Sequence, residues 1–208
     1  MKQAGHVGAD RMARCSRYLL LPDNPSQQTM HPLDLFRFCP VCGSAHFVVN
    51  NIKSKRCESC GFIYYMNPSA ATVAFIVNDR HELLTVRRRN EPARGTLDLP
   101  GGFSDMDETS EQGVVREVLE ETGLHVEQTD FLFSLPNDYV YSGLPIPTMD
   151  MFYLCKVSDF SALHAADDAE ACLFVPIDKL CPDDFGLTSV RKGIARFMSM
   201  YGNGSVKR

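Results

Sequence analysis

The chain predicts a layered fold of intermingled strands and helices, α/β or α+β, with a small cysteine-bearing module ahead of it. Three observations predict this. Short apolar runs bounded by turn residues alternate with segments of helical period. Two C-x-x-C pairs are confined to residues 39–60. The composition, 44% hydrophobic and 23% charged over 208 residues, is that of a globular chain long enough to bury a core without disulfide staples. No window approaches the roughly 18 consecutive apolar residues of a membrane span, so no membrane partner is expected. The formal charge of -5 argues against a general nucleic-acid binder, which is usually basic. An anionic substrate would require this acidic chain to recruit cations or local arginines.

Residues 1–31 read as an extension. Their apolar run Tyr18-Leu19-Leu20-Leu21 is ended by Pro22 and is too short for a signal peptide, so a cytoplasmic location is expected. Met30 is a candidate true start. Residues 32–68 are turn-rich and carry the paired cysteines. A domain of residues 69–202 follows, then a tail of 203–208. The domain opens with an apolar strand, Thr72 to Val77, stopped by Asn78-Asp79. A second strand, Leu83 to Val86, completes a hairpin. After the Gly101-Gly102 turn, Thr109 and Gln112 stand at capping-box spacing for a helix from Ser110 to Thr122. Gly123 supplies its C-terminal stop. Further strands are predicted near 131–135, 149–157 and 172–175. The last helix, 189–201, shows one apolar stripe of Val190, Ile194, Phe197, Met198 and Tyr201.

Cys39 and Cys42 precede Cys57 and Cys60 by a fourteen-residue gap. Two C-x-x-C turns at such a separation place four thiolates at the corners of a tetrahedron around one Zn²⁺. Gly43 and Gly61 let the chain fold back after each turn. Four protein ligands close the shell, so the zinc is structural. Cys15, Cys155, Cys172 and Cys181 are scattered and read as small buried apolar residues. Asn51, Lys53, Lys55 and Arg56 sit at the tip of the module, where a solvated hairpin is favoured over a nucleic-acid contact.

Glu117, Glu120 and Glu121 stand at i, i+3 and i+4 and share one helical face. Like charges so placed repel by a few tenths of a kcal/mol per pair. A divalent cation on that face offsets the repulsion, and hard oxygen ligands suit Mg²⁺ or Mn²⁺. Arg116, four residues before Glu120, can orient it. Val115, Val118 and Leu119 are assigned to the core.

From Gly102 the chain reads Gly102-x5-Glu108-x7-Arg116-Glu117-Val118-Leu119-Glu120-Glu121-Thr122-Gly123-Leu124. This resembles the Nudix box, G-x5-E-x7-R-E-U-x-E-E-x-G-U with U a bulky apolar residue, at every specified position. The resemblance implies an α/β/α sandwich around a mixed sheet. It further implies that Glu117, Glu120 and Glu121 bind catalytic metal or act as base, that the Gly102 carbonyl joins them, and that Glu108 and Arg116 support the site. A zinc ribbon directly before such a domain is similar to the bacterial NADH pyrophosphatases. That family carries S-Q-P-W-P-F-P-x-S downstream of the box. Here the stretch runs Ser134-Leu135-Pro136-Asn137-Asp138-Tyr139-Val140-Tyr141-Ser142, without the tryptophan and two of the prolines. Alignment to the family puts Asp168 where an additional acidic metal ligand often stands. A solvated acidic loop, with Asp167 and Glu170 beside it, is the equal alternative.

Strand alternation sends Arg87 and Arg89 to one face and Arg88 to the other, so Arg87 and Arg89 are candidates to meet phosphates. Tyr139, with Tyr141 and Phe133, could stack on a base, and core packing stands equal. The expected function is a Mg²⁺-dependent hydrolase, with Mn²⁺ as substitute metal. It cleaves the pyrophosphate link of a nucleoside diphosphate joined to another moiety, of the NADH, ADP-ribose or FAD type. The alternatives are removal of an NAD cap from RNA and a non-catalytic ligand sensor whose zinc ribbon contacts nucleic acid. The expected partner is a nucleotide-derivative substrate, with a homodimer left open.

Overall fold

The computed structural model describes residues 31–202 and 204. The expectations placed on residues 1–30, Met30 and Cys15 among them, lie outside the described residues, as do those on Asn203 and residues 205–208. The described residues form two compact units. One takes in residues 31–69 and 138–148, the other residues 70–137 and those from 149 onward. No helix among the described residues is long and apolar enough to cross a membrane.

The smaller unit contains an antiparallel sheet of β1 (Phe47–Asn51), β2 (Ser54–Cys57) and β3 (Ile63–Tyr65). Its apolar centre is Phe47 with Cys39 and Cys57, backed by Phe36 and Phe62. A core this small leaves Val48, Val49, Ile63 and Tyr65 exposed, so bound metal has to supply much of its stability. Lys55 is turned inward: its Nζ donates to the Phe36 carbonyl at 2.9 Å and lies 5.8 Å from the Phe47 ring centre.

The larger unit is built on β4 (Ser69–Phe75), β5 (Glu82–Arg88), β6 (Leu97–Asp98), β9 (Ala169–Pro176) and most of β7 (Gln128–Tyr141) and β8 (Leu144–Lys156), whose joined ends at 138–148 belong to the smaller unit. The strands make two three-stranded sheets, ordered β4-β8-β7 and β6-β5-β9. Two helices complete the unit, α1 (Ser110–Thr122) and α2 (Thr188–Gly202). Alternation along the strands sorts the core into two layers. Val73, Phe75, Leu83 and Phe152 join Val190, Ile194 and Phe197 of α2. Their neighbours Ala74, Ile76, Leu84 and Tyr153 join Val114 and Val118 of α1. The strands therefore carry one helix on each face, an α/β/α sandwich. Phe75 stacks on Phe197 with centroids 4.1 Å apart, and the predicted stripe of α2 is the face that packs.

Three sequence expectations need correction here. The hairpin of 72–77 with 83–86 is joined only at its base, through the Val77–Leu83 bridge and the Leu84 N–H to Ile76 carbonyl bond at 2.9 Å. Beyond it β5 pairs with β6 and β9, so both edges of β5 are taken and β4 pairs with β8 instead. Next, β7 and β8 are far longer than the expected 131–135 and 149–157. They meet at Ser142-Gly143, with φ of 51° and 76°, the paired positive values of a two-residue hairpin turn. Finally, Leu119 is 42% exposed. At about 100° per residue it stands one step round the helix from Val118, past the strip that Val114 and Val118 bury.

Phe133 resolves to core: it is 4% exposed, stacks on Phe152 at 4.9 Å and carries Arg196 over its face at 4.3 Å. Tyr139 is half-buried and Tyr141 exposed. Cys155 is a buried thiol and Cys172 a half-buried one, and Cys181 is buried as well.

Candidate active site and metal centre

The two C-x-x-C turns bring four sulfurs together. Cys39 Sγ lies 3.7 Å from Cys60 Sγ, and Cys42 Sγ lies 3.6 Å from Cys57 Sγ. All four are within 4.8 Å of one another. Tetrahedral corners about 2.3 Å from a zinc ion are about 3.8 Å apart, so the cradle has the right size for Zn²⁺. Gly43 and Gly61 hold φ of 72° and 79°, and their N–H groups donate to the carbonyls of Cys39 and Cys57, both at 2.9 Å. Each turn is therefore closed by backbone alone.

The second centre is built on α1. Thr109 and Gln112 form the predicted capping box, and Gly123 ends the helix at φ 71°. Both ends are pinned, which sets where the glutamates point. Relative to Glu117 at 0°, Glu121 falls at about 40° and Glu120 at about -60°, while the buried strip of Val114 and Val118 centres near 80°. Glu121 is accordingly drawn toward the core and only 6% exposed, Glu117 is intermediate, and Glu120 is on the surface.

The Gly101-Gly102 turn lies against this face. A Cβ on Gly102 would come 2.5 Å from a Glu117 oxygen, and one on Gly101 would come 2.0 Å from the Thr72 carbonyl oxygen. Only a glycine pair fits between the strand and the carboxylate. Gly101 N–H donates to Glu121 Oε2 at 3.1 Å. The Gly102 carbonyl accepts from Thr72 N–H at 2.8 Å and keeps a second lone pair.

Arg116 organises the carboxylates. It donates to both oxygens of Glu108, at 2.8 and 3.1 Å, to Glu117 at 2.8 Å and Glu120 at 2.9 Å, and to the Phe103 carbonyl at 3.0 Å. The hydrogen bonds from Arg116 hold the Glu108 carboxyl below its ordinary range. Burial does the opposite to Glu117, raising it against the pull of Arg116. Burial pushes Glu121 up to about 9, opposed by the Gly101 N–H and reinforced by the charges of Asp98, Glu117 and Asp168. A buried carboxyl crowded by like charges is one that a divalent cation would stabilise in its ionised form. The donor set therefore fits a hard metal such as Mg²⁺. Among the described residues, however, the four cysteines are the only group of three or more metal-type ligands that closes to within 4.8 Å.

Asp168 stands on the loop before β9, its Oδ1 accepting from Asn90 Nδ2 at 2.7 Å. Arg87 donates to the Gly95 carbonyl at 2.6 Å. Arg89 donates to the carbonyls of Asp167 and Ala169. Arg88 goes to the other side, as alternation required, and pairs with the buried Asp98 at 2.5 Å. Sequence reasoning missed Gly101 and Asn90. Gly101 was legible as the partner of Gly102 in a tight turn, but nothing local marks Asn90, whose contact lies 78 residues away.

A family model described as NUDIX domain matches residues 66–197, more than half of the chain. The chain belongs to the Nudix family. Ahead of the Nudix domain, a model described as NADH pyrophosphatase zinc ribbon domain matches residues 34–65, which contain all four clustered cysteines. The NAD-capped RNA hydrolase NudC of Vibrio parahaemolyticus is 32% identical over 106 residues, 51% of this chain and 40% of that protein. The ADP-ribose pyrophosphatase of Methanocaldococcus jannaschii is 45% identical over 60 residues, 29% of this chain and 35% of that protein. The matches thus span 40% or less of these two relatives. Among solved structures, a Nudix hydrolase from Nitrosomonas europaea superposes with a TM-score of 0.63 at 21% identity, covering 81% of this chain and 93% of that one. This likeness shows the Nudix fold.

Proposed function

We propose that the chain is a Mg²⁺-dependent hydrolase, with Mn²⁺ as substitute metal, of the pyrophosphate link in a nucleoside diphosphate joined to a second moiety. NADH, ADP-ribose and FAD are of this type. The observation that carries the reading is the pinned glutamate face of α1: three carboxylates of graded burial, ordered by Arg116 and closed over by a glycine pair. Glu117, Glu120 and Glu121 would hold the metal, with the Gly102 carbonyl and Asp168 as further donors. When bound, the ion supplies charge neutralisation at the phosphate oxygens and lowers the pKa of a bound water.

The chain's own residues do the rest. Arg116 keeps Glu117 and Glu120 oriented through a fixed planar fork, which a lysine could not reproduce. A carboxylate of that face, Glu117 or Glu120, accepts the proton of the attacking water. The N–H of Gly101 orients Glu121 at the inner end of the face. Arg87, at the end of β5, is the side chain we assign to the substrate's phosphates. The products are a nucleoside monophosphate and the phosphate of the other moiety.

Removal of an NAD cap from RNA is a second reading, favoured by the similarity to the NAD-capped RNA hydrolase of Vibrio parahaemolyticus; it uses the same chemistry on a longer substrate. The experiment is a panel of NADH, NAD⁺, ADP-ribose, FAD, diadenosine tetraphosphate, dNTPs and NAD-capped RNA with Mg²⁺, followed by product chromatography. Release of a nucleoside monophosphate from at least one dinucleotide supports the proposal. No turnover of any member with Mg²⁺ or Mn²⁺ defeats it.

A further inference from the structure

One residue holds three consecutive carbonyls on the acidic loop. The N–H of Arg89 donates to the Asp168 carbonyl at 3.0 Å. Its guanidinium donates to the carbonyls of Asp167 at 2.5 Å and Ala169 at 2.8 Å. Asn90 adds the bond from Nδ2 to Asp168 Oδ1 at 2.7 Å. The backbone on both sides of Asp168 is therefore gripped from the end of β5.

The same loop is tied to α1 from its other end. Ala166 N–H donates to the Glu121 carbonyl at 3.0 Å, and His164 N–H to the Thr122 carbonyl at 3.1 Å. Between the two attachments Asp167 adopts φ 47°, a left-handed conformation unfavourable for a residue with a Cβ. The pairing of β5 with β9 shifts register between Arg87 and Arg88, which face Ala171 and Ala169. Glu170 is the extra residue of this bulge, a device that re-aims the chain where it leaves a sheet. The charge of Asp168 reaches Glu121, and that of Asp167 reaches Glu117.

We propose that Arg89 is a positioning residue: by holding the carbonyls of residues 167–169 it presents Asp168 to the glutamate face of α1, and it does not contact the substrate's phosphates. Its planar fork is already occupied by two carbonyls, and a lysine ammonium could not bridge both in that geometry. The inference rests on the hydrolase reading above.

The test uses the full zinc-loaded chain and its Arg89→Ala, Arg89→Lys, Asn90→Ala and Asp168→Ala variants, with the Arg89→Ala/Asp168→Ala double variant. Three quantities are measured: Mn²⁺ affinity by electron paramagnetic resonance, amide exchange across residues 164–170, and kcat and KM on the best substrate of the panel. Arg89→Ala is expected to weaken Mn²⁺ binding about 10-fold and lower kcat about 30-fold, with KM within about 3-fold. Lysine should not restore either value, and loop exchange should speed up. The double variant should be no worse than Asp168→Ala by more than about 3-fold, because the two residues act as one unit.

A KM raised about 10-fold with kcat kept, and restored by lysine, would make Arg89 a phosphate ligand and overturn the proposal. Additive losses in the double variant would overturn it as well. Were Arg89→Ala to lose its cooperative melt, Arg89→Lys and Asn90→Ala decide on the same readouts. If the wild-type chain turns over nothing, the hydrolase reading fails, and Mn²⁺ affinity with loop exchange still decides the role of Arg89.

Discussion

In the ribbon, sulfurs from both ends of the module lie 3.6 and 3.7 Å apart in cross pairs, whereas on α1 the three glutamates occupy three different environments. Glu121 is buried against Gly101, Glu117 is half-buried beside Gly102, and Glu120 reaches Arg116 at the surface. Thiols can be neutral, so four of them gather without charge repulsion, and each pair is set by a turn of four residues. Carboxylates at neutral pH repel, and each hangs from a different direction of the helix. The ribbon is a preformed cradle; on the glutamate face Arg116 Nη1 bridges Glu117 and Glu120, while Glu121 is held apart from them at Gly101. Metal loss should therefore disrupt the fold at the first site and the chemistry at the second.

The largest effect expected from this difference is at the ribbon. Protein purified without added zinc should contain about one equivalent per chain, and Cys57→Ser should lose it. Structural zinc carries on the order of 10 kcal/mol of folding free energy, so amides of residues 31–69 should then exchange without protection. Retained zinc in Cys57→Ser, or two disulfides found by mass spectrometry of alkylated native protein, would break the comparison.

Glu120→Gln and Glu121→Gln come next. Each is expected to lower turnover at least about 100-fold, roughly 2.7 kcal/mol at the transition state, with the thermal melt still cooperative. Near-normal turnover of both at saturating Mg²⁺ would remove the metal assignment.

The same Glu121→Gln change should act in the opposite sense on stability. In metal-free protein the Glu121 carboxyl is pushed up to about 9, against about 4.3 in an unfolded chain. Between those values the folded state binds more protons than the unfolded one, so stability falls as pH rises from about 4.3 to 9. Below that window both states are protonated and the penalty vanishes. Chelated Glu121→Gln should therefore melt higher than chelated wild type at pH 8, by about 3 °C or more, and the gap should close at pH 4. A wild-type melt that is flat over this range would show that Glu121 is solvated rather than buried.

The smallest expected effect concerns selectivity. Residues 134–141 lie within β7, an edge strand of its sheet. Asp138 and Val140 stand where the related motif has prolines, so this segment keeps backbone donors that proline lacks and forms a hairpin arm in place of a stiffened wall. We expect kcat/KM for NADH within about 100-fold of the values for ADP-ribose and FAD. A larger preference for NADH would show that the hairpin arm discriminates as well as the proline-rich form.

Much of this chain was legible locally. The capping box of α1, the stripe of α2 and the zinc cradle follow from contacts within a few residues or from one helical face, where spacing in sequence is spacing in space. The three glutamates were readable as a face for the same reason. Their ranking by burial was not, because it depends on where the helix lies against β4 and the Gly101-Gly102 turn. Pairing partners were equally hidden: β5 has two apolar-flanked edges, and only the assembled sheets decide that β6 and β9 take them. Strands as long as β7 and β8 were hidden by Pro136, Pro145 and Pro147 inside them, since proline cannot donate to a ladder. The roles of Arg87, Arg88 and Arg89 show the division most sharply. Alternation along the strand was enough to send Arg88 away from its neighbours. What each guanidinium grips, whether Gly95, Asp98 or the carbonyls of Asp167 and Ala169, was decided by loops that tertiary folding brings to the end of β5, because a charge on a flexible stem takes its partner from whatever the fold places within reach.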